Sequence, residues 1–311
     1  MDTGRSLDRA HTPAATLPPL LAGRSAPMQA LVRAVDDLAH AEVNLLLQGE
    51  EGTGKRALAG AIHARSPRAA GPFLEVPLGE LGEAEARREL FDEEGAGRRA
   101  TSLPAATLYV GSIEALGPEL QRRLLLALNS PGGWSRVRIV SGANTPLEEM
   151  VRMGRFRRDL FFRLGVVRVT IPPLRERCED VPVVAERVVE TWCAARGRPV
   201  VRLGRAVLAE LADDVWPGNA RELEGILVRT LEAGGDDELR VERLRAILGR
   251  RSRQRPTPDV FPLRQLERDY IAAVLVGCNW NQSLAARRLG IGRNTLLRKI
   301  KAFGLVKAHA A

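Results

Sequence analysis

The sequence predicts an α/β fold with a parallel sheet, followed by a helical segment and then by a small all-α domain. Short apolar runs alternate with helical patterns over the first half of the chain, which is typical of a parallel sheet buried on both faces. After Pro172 and Pro173 the strand pattern stops, and only helical periodicities follow. The chain also becomes strongly basic near its end.

The elements of the first part follow one another in a regular order. A helix is expected at 28–41, where apolar residues recur every three or four positions. Strands are expected at 43–47, 73–76, 107–110, 137–140 and 166–171. Further helices are expected at 56–65, 84–91 and 118–129. This alternation is what predicts the parallel sheet.

The later part of the chain predicts helices and a linker. Helices are expected at 181–196, 203–211, 220–232 and 241–248. Residues 249–262 are rich in Arg and Pro and are expected to link two domains. We therefore divide the chain into a disordered N-terminus (1–22), an α/β subdomain (23–173), a helical subdomain (174–248), a linker (249–262) and a final all-α domain (263–311).

The charge of the chain is concentrated at its end. The 311 residues have a net charge of +9, whereas those from Arg250 onward contain thirteen Lys and Arg against three Asp and Glu. A basic C-terminal fifth is typical of a nucleic-acid-binding appendage, and a solvated basic tail is an equally weighted alternative. Three scattered cysteines indicate a reducing compartment. With no signal peptide and no long apolar run, we expect a cytoplasmic protein.

A glycine-rich loop follows the first strand. It reads Gly-Glu-Glu-Gly-Thr-Gly-Lys at 49–55 and lies between a strand and a helix, the context that a phosphate-binding loop requires. Backbone N–H groups and a helix N-terminus would surround the phosphates, and Lys55 would reach the β- and γ-phosphates. The stricter pattern has Ser or Thr after the lysine, where this chain has Arg56. A glycine turn that binds nothing is the less favoured alternative.

The residues that follow the third predicted strand lack the acids that an ATP-hydrolysing site requires. The strand at 107–110 leads into Gly111 and Ser112. A P-loop ATPase has an Asp here that holds Mg²⁺, and many such enzymes add a Glu that activates water. The sequence therefore predicts a protein that holds a nucleotide but hydrolyses it poorly. It predicts no catalytic residue, no metal ligand, and weak or absent Mg²⁺ binding.

Two further segments are ambiguous on their own. Residues 154–164 are rich in Arg and in large apolar residues, which a solvated basic face on an amphipathic helix also explains. Residues 216–223 contain Pro-Gly-Asn, which is turn chemistry and is equally consistent with a simple helix start.

The last domain predicts a helix-turn-helix. Two short helices, at 281–289 and 293–303, are separated by a Gly-Ile-Gly turn. The residues expected to face inward are Leu284, Ala285, Leu289, Leu296, Leu297 and Ile300. The residues expected to contact DNA are Arg293, Asn294, Thr295, Arg298, Lys299 and Lys301. The polar start of the second helix suits base edges and the basic residues suit phosphates, while a small oligomerisation domain is the alternative.

Taken in order, these motifs resemble the bacterial enhancer-binding proteins, the AAA+ activators of sigma-54 RNA polymerase. The resemblance runs from about Gly23 to Leu305. The loop at 49–55 is similar to the family's Walker A motif. The segment 172–182, which contains Pro-Pro-Leu-Arg-Glu-Arg and then Glu-Asp-Val-Pro, is highly specific to the family.

The resemblance implies roles for particular arginines and for the end of the chain. Arg157 and Arg163 would be arginine fingers that reach the nucleotide of a neighbouring subunit. Arg221 would be the nucleotide-sensing arginine of the sensor II segment in an AAA+ helical lid. Residues 279–305 would form a Fis-type helix-turn-helix.

The chain departs from the family at the positions for Mg²⁺ binding and water activation. The Walker B acids fall on Gly111 and Ser112, and the family Asn that is thought to position the catalytic Glu is Pro77. The sensor I Thr-Asn pair reads Ala143-Asn144. The resemblance therefore supports the prediction of a degenerate ATPase site.

A second departure concerns the loop that touches the sigma factor. The family's GAFTGA motif should follow the Glu-Leu-Phe sequence at 89–91, but residues 92–100 read Asp-Glu-Glu-Gly-Ala-Gly-Arg-Arg-Ala and the next strand comes early. No receiver or ligand-sensing domain is expected before Gly23.

We therefore expect a DNA-binding transcription regulator on an enhancer-binding-protein scaffold, with ATP or ADP as its cofactor. The residues expected at the nucleotide are Gly49, Glu50, Gly52, Thr53, Gly54, Lys55, Arg56, Asn144 and Arg221. The expected partners are double-stranded DNA and a dimer or AAA+ ring of the same chain, or a mixed ring with a homologue. Contact with sigma-54 and with membranes is not expected. The alternatives are an active sigma-54-dependent ATPase, and a non-catalytic subunit that lends Arg157 and Arg163 to a homologue.

Overall fold

The computed structural model of the chain describes residues 17–234, 238–254, 270–271, 274–275, 278 and 280–303. The chain divides into two compact units, Met1–Gly249 and Arg250–Ala311, and each is described by itself.

The first unit is built on a five-stranded parallel sheet. Its strands are β1 Leu45–Gln48, β2 Phe73–Pro77, β3 Thr107–Gly111, β4 Arg138–Ala143 and β5 Val167–Thr170. They lie in the order β2-β3-β4-β1-β5, and each neighbouring pair is parallel. The predicted α/β fold class is confirmed. Because all five strands run in one direction, their carboxyl ends meet at one edge, where open α/β sheets bind ligands.

Helices cover both faces of this sheet. They are α1 Ala26–His40, α2 Lys55–Ala64, α3 Glu83–Phe91, α4 Ala96–Ser102, α5 Pro118–Asn129, α6 Gly133–Arg136, α7 Leu147–Arg152 and α8 Arg158–Leu164. Successive side chains of a strand point to opposite faces. Leu45 and Leu47 accordingly pack with Leu58 of α2, whereas Leu46 packs with Leu124 of α5 on the other face.

The segment after α3 is a packed helix that the sequence did not predict. Helix α4 begins within residues 92–100, where the GAFTGA motif is expected to be missing, and Ala96, Gly97 and Ala100 are buried. A Cβ on Gly97 would lie 2.3 Å from the carbonyl oxygen of Leu90. Glycine at this position therefore lets α4 lie directly against α3.

The helical subdomain contains a small sheet as well as helices. The helices are α9 Val181–Ala194, α10 Arg205–Ala212, α11 Asn219–Glu232 and α12 Val241–Gln254. The strands β6 Arg202–Leu203 and β7 Glu238–Leu239 pair in parallel, so the purely helical prediction was wrong here. Strands of two residues leave no periodicity to detect. Helix α12 also makes residues 249–254 of the expected linker helical, and the remaining linker residues lie outside the described part of the chain.

The expected disordered N-terminus is partly ordered. Residues 1–16 lie outside the described residues, but Pro19–Leu21 forms a turn of 3₁₀ helix. Leu21 is 1% exposed and packs with the residues of α1 and α2. Within the described ranges, no helix has the length and apolarity to span a membrane.

The second unit contains the two helices of the predicted helix-turn-helix, Gln282–Arg288 and Arg293–Phe303. Asn281 caps the first helix, because its side-chain oxygen accepts a hydrogen bond from the backbone N–H of Leu284 at 3.1 Å. Among the described residues of this unit, the buried side chains that pack together are those of Ile271, Leu275, Cys278, Ala285, Ala286 and Leu296. Leu284 and Leu297 are 40% and 38% exposed, so their predicted inward orientation was wrong. Ala285 is buried as predicted, and Ala286, which was not predicted to face inward, is buried beside it.

Candidate nucleotide-binding site and helix-turn-helix

The glycine-rich loop at 49–55 joins β1 to α2 at the carboxyl edge of the sheet. Gly52 and Gly54 have φ of 77° and 105°, the left-handed region that favours glycine. A Cβ on Gly52 would lie 2.1 Å from the carbonyl oxygen of Gly218, just before α11. Glycine at 52 therefore allows the loop and the helical subdomain to meet. Thr53 is buried, and its hydroxyl donates to the carbonyl oxygen of Glu50 at 2.8 Å.

Lys55 is folded back into this loop. It is 7% exposed, and its Nζ donates to the carbonyl oxygens of Gly49 and Glu50 at 2.6 and 2.8 Å. Burial lowers the pKa of Lys55 to about 8, and Glu114 is the charged neighbour that most opposes this decrease. A phosphate beside this ammonium group would supply negative charge that favours its protonated form.

A set of polar contacts fixes the loop to the helical subdomain. The Arg175 guanidinium donates to both carboxylate oxygens of Glu50, at 2.6 and 2.5 Å. These hydrogen bonds are the main cause of the lowered pKa of Glu50. Asn219 is buried at φ 53°, accepts from the backbone N–H of Leu174 at 2.7 Å, and donates to the carbonyl oxygen of Glu51 at 2.8 Å. Sequence reasoning quoted the segments that contain Arg175 and Asn219 but gave these residues no role.

Arg56 and Arg221, the two arginines expected at the nucleotide, differ in their surroundings. The backbone N–H of Arg221 donates to the carbonyl oxygen of Gly52 at 3.1 Å, and its guanidinium lies 3.8 Å from the Glu51 carboxylate. Arg221 therefore lies beside the loop, and its contact with a nucleotide stays a prediction. Arg56 instead pairs with Glu75 of β2 at 2.6 Å, so its guanidinium is engaged with the sheet.

Arg177 lies beneath the loop and was missed by the sequence reasoning. It is fully buried, and one Nη donates to the carbonyl oxygen of Thr53 at 3.4 Å. Its Nε and other Nη are buried without a hydrogen-bond partner. Burial lowers the pKa of Arg177, and the charge of Asp180 partly offsets that effect.

The carboxyl end of β3 contains no acid at the two predicted positions. Ser112 adopts φ 56°, and its hydroxyl accepts a hydrogen bond from the Asn144 side-chain amide at 3.0 Å. A Cβ on Gly111 would lie 3.3 Å from the ring of Tyr109, which is tighter than most Cβ contacts. Glu114, which the sequence reasoning overlooked, accepts from the backbone N–H of Asn144 at 3.1 Å. Among the described residues, no cluster of three or more His, Cys, Asp or Glu could hold a metal ion by itself.

The two predicted arginine fingers make contacts within their own subdomain. Arg157 donates two hydrogen bonds to the carboxylate of Asp159, at 3.0 and 2.7 Å. Arg163 donates to the carbonyl oxygen of Leu128 at 2.9 Å. The neighbouring Phe162 ring is 58% exposed, with the Arg158 guanidinium 5.7 Å from its centroid. The segment thus presents an apolar and charged surface.

The second helix of the helix-turn-helix exposes several of the predicted DNA-contacting residues. Arg293, Asn294 and Arg298 are exposed, while Thr295 and Lys299 are half-buried. The turn before this helix contains Gly290 at φ 66°, a conformation that favours glycine.

The parallel P-loop sheet, the helical lid and the helix-turn-helix together define an AAA+ type of transcription regulator. Three family models match in succession: "Sigma-54 interaction domain" over residues 21–170, "AAA+ ATPase lid domain" over 175–260, and "Bacterial regulatory protein, Fis family" over 262–303. They cover nearly the whole chain.

Individual relatives agree with these matches. The chain is 31% identical over 315 residues to the response regulator protein PilR of Pseudomonas aeruginosa, covering 92% of this chain and 70% of PilR. It is 33% identical over 352 residues to the DNA-binding transcriptional regulator NtrC of Azospirillum brasilense, covering 94% and 73%. The crystal structure of NtrX from Brucella abortus in complex with ADP has a TM-score of 0.63 and 30% identity, covering 91% and 69%. The chain belongs to the sigma-54-dependent transcriptional regulators that contain these three domains.

Proposed function

We propose that this protein is a sequence-specific DNA-binding transcription regulator whose AAA+ domain binds ATP or ADP, hydrolyses it poorly and does not contact sigma-54. The observation that carries the proposal is the carboxyl end of β3. Gly111 and Ser112 stand where the family has its acids, and the Asn144 side chain is hydrogen-bonded to Ser112.

Nucleotide binding is supported by the loop and by its surroundings. Gly52 and Gly54 hold backbone conformations that glycine favours, and Lys55 is buried at the start of α2. A helix N-terminus with a glycine-rich loop binds phosphate through backbone N–H groups and the helix dipole. The structure of NtrX in complex with ADP is similar in fold to this chain.

Poor hydrolysis follows from what residues 111 and 112 can supply. Phosphoryl transfer depends on positioning and on neutralising charge, and the Mg²⁺ ion is a large part of both. Glycine offers no ligand at 111. A serine hydroxyl at 112 is too weak a base to activate water at neutral pH, and here it accepts a hydrogen bond from Asn144.

Loss of the sigma-54 contact is supported by helix α4. The family's contact loop must project from the domain in order to touch the factor. Here the corresponding residues form a seven-residue helix whose Ala96, Gly97 and Ala100 are buried. A purified transcription system with this protein as its only activator should therefore form no open complex at a sigma-54 promoter. Open-complex formation would contradict this part of the proposal.

DNA binding is supported by the exposed face of the second helix in the helix-turn-helix. Arg298 and Lys299 are placed for phosphates, so replacing both with Ala should weaken binding to every sequence and reduce the salt dependence by about one unit per lost contact. Asn294 lies at the helix start, so Asn294→Ala should cost about 1–3 kcal/mol of sequence discrimination. The assay is salt-titrated binding to a selected site and to a scrambled duplex.

The comparison of the two duplexes decides between regulator and oligomerisation module. A full-length protein that prefers neither duplex, with an Arg298/Lys299 double variant that binds like the wild type, would contradict the DNA-binding proposal. We propose 23–173 and 174–254 as the limits of the AAA+ subdomains, because α12 ends at Gln254, with the linker at 255–262 and the helix-turn-helix domain within 263–311.

A second candidate function is a non-catalytic subunit of a mixed ring. The exposed Phe162 ring and the partly exposed Arg157–Asp159 ion pair favour it, because a neighbouring subunit could bind that surface. Mixing the protein with an active homologue should then change the homologue's ATPase rate, and Arg157→Ala should abolish the change. If the homologue's ATPase rate is unchanged at every mixing ratio, this candidate function is excluded.

A further inference from the structure

The carboxylate of Glu114 lies at the carboxyl edge of the sheet, where the family acids are absent. Glu114 comes three residues after the end of β3, and Asn144 follows β4, the neighbouring strand. One carboxylate oxygen of Glu114 accepts from the backbone N–H of Asn144 at 3.1 Å. The Asn144 side chain in turn donates to Ser112 at 3.0 Å. Asn144 therefore holds both Glu114 and the residue at the second Walker B position.

The second carboxylate oxygen of Glu114 is buried and has no hydrogen-bond partner. A buried ionised oxygen without a donor is costly, so a functional complex is expected to supply a donor or a cation. The same carboxylate is the charged neighbour that most favours protonated Lys55. Glu114, which follows β3, and the phosphate-binding loop, which follows β1, thus lie at the same edge of the parallel sheet.

Mg²⁺ requires little protein at such a site. It commonly keeps several waters and is held by one or two carboxylates together with the substrate's phosphates. A single carboxylate at the same edge of the sheet as the loop meets that requirement.

We propose that Glu114 supplies the carboxylate oxygen that holds the divalent cation of a bound nucleotide, in place of the missing acid at position 111. This inference rests on the proposed nucleotide binding. It adds a metal-holding group but no base for water, so slow hydrolysis is then expected from the missing water-activating acid alone. The role is carried by a residue outside the two positions where the family has its acids.

The test is ADP binding to the full chain by calorimetry, with Mg²⁺ and with EDTA. Mg²⁺ should tighten ADP binding to the wild type by about tenfold and to Glu114→Gln by less than about twofold, because loss of even an outer partner of a metal ligand costs about 10–100-fold in metal affinity. Glu114→Asp, which keeps the charge, should retain part of the effect. Glu119→Gln is the matched control, because Glu119 is an exposed residue of α5 that pairs with Arg122.

The outcomes separate this inference from the proposed function. If Mg²⁺ tightens ADP binding equally in the wild type and in Glu114→Gln, the inference is overturned. The inference is also overturned if Glu114→Gln binds ADP more tightly than the wild type does, by the same factor with Mg²⁺ and with EDTA. Glu114 would then act only by repelling phosphate. If the wild type binds ADP with the same affinity with and without Mg²⁺, the inference is overturned but the proposed nucleotide binding is not. Absence of ADP binding under every condition overturns both.

Discussion

Replacement of Lys55 by Met should stabilise the protein without nucleotide and abolish its stabilisation by nucleotide. Lys55 has a pKa of about 8 in the folded chain, against an ordinary value of 10.5, because its ammonium group is buried. At about 1.4 kcal/mol per pH unit, the charged lysine costs the fold roughly 3 kcal/mol. Methionine fills a similar volume without charge.

The net gain should be smaller than this gross cost. Nζ donates to the carbonyl oxygens of Gly49 and Glu50, and each lost hydrogen bond should cost about 1 kcal/mol. The nucleotide-free Lys55→Met variant should therefore be more stable than the wild type by roughly 1 kcal/mol at pH 7. The sign depends on pH. The folded pKa lies below the unfolded one, so the cost is fully present below about pH 8 and disappears as the pH rises towards 10.5.

The assay is unfolding at pH 7 with and without ADP. A ligand at 100 times its Kd stabilises the folded state by about 2.7 kcal/mol, which the wild type should gain and Lys55→Met should not. Arg152→Met, at an exposed surface residue of α7, controls for loss of a positive charge. The reasoning is refuted if Lys55→Met destabilises the nucleotide-free protein by more than 1 kcal/mol or keeps the ADP effect.

Three further predictions address the surroundings of the loop. Gly111→Asp should cost about 1–3 kcal/mol of stability, because a Cβ at position 111 would lie 3.3 Å from the Tyr109 ring. Tyr109→Leu should relieve that cost in the double variant. Additive losses of stability in denaturant unfolding would argue against this contact. Asn219→Ala should destabilise the protein by about 1–3 kcal/mol more than Asn219→Gly does. Both variants lose the hydrogen bonds of the Asn219 side chain, but only alanine adds backbone strain at φ 53°. Equal losses of stability in the same assay would exclude such strain. ADP affinity should fall as the pH rises above about 8, because Lys55 then loses its charge, and a flat calorimetric profile from pH 7 to pH 10 would show that the ammonium group does not bind phosphate.

The sequence predicted the sheet and the loop because both leave local patterns. A few consecutive residues are enough to recognise the apolar runs of β1 and β3 and the glycines of 49–55. Helix α4 escaped prediction because Gly95, Ala96 and Gly97 give it no amphipathic period. It is stabilised by packing against α3, which depends on close approach at Gly97.

The contacts that join the loop to the lid were beyond sequence reasoning for a different reason. Glu50 meets Arg175 and Asn219 across more than a hundred residues of chain. No spacing rule connects such positions without the fold. Glu114 was missed because the search for acids was confined to the two positions that the resemblance indicated, whereas the turn after β3 brings the next acid to the same edge of the sheet.

We propose above all that the AAA+ domain binds ATP and hydrolyses it poorly. The most direct measurement is a single-turnover experiment, in which excess protein is mixed with limiting labelled ATP and both bound nucleotide and released phosphate are followed. We predict that ATP binds through Lys55 and is recovered intact. Phosphate release approaching the roughly 1–100 s⁻¹ typical of kinases, abolished by Lys55→Ala, would contradict the claim.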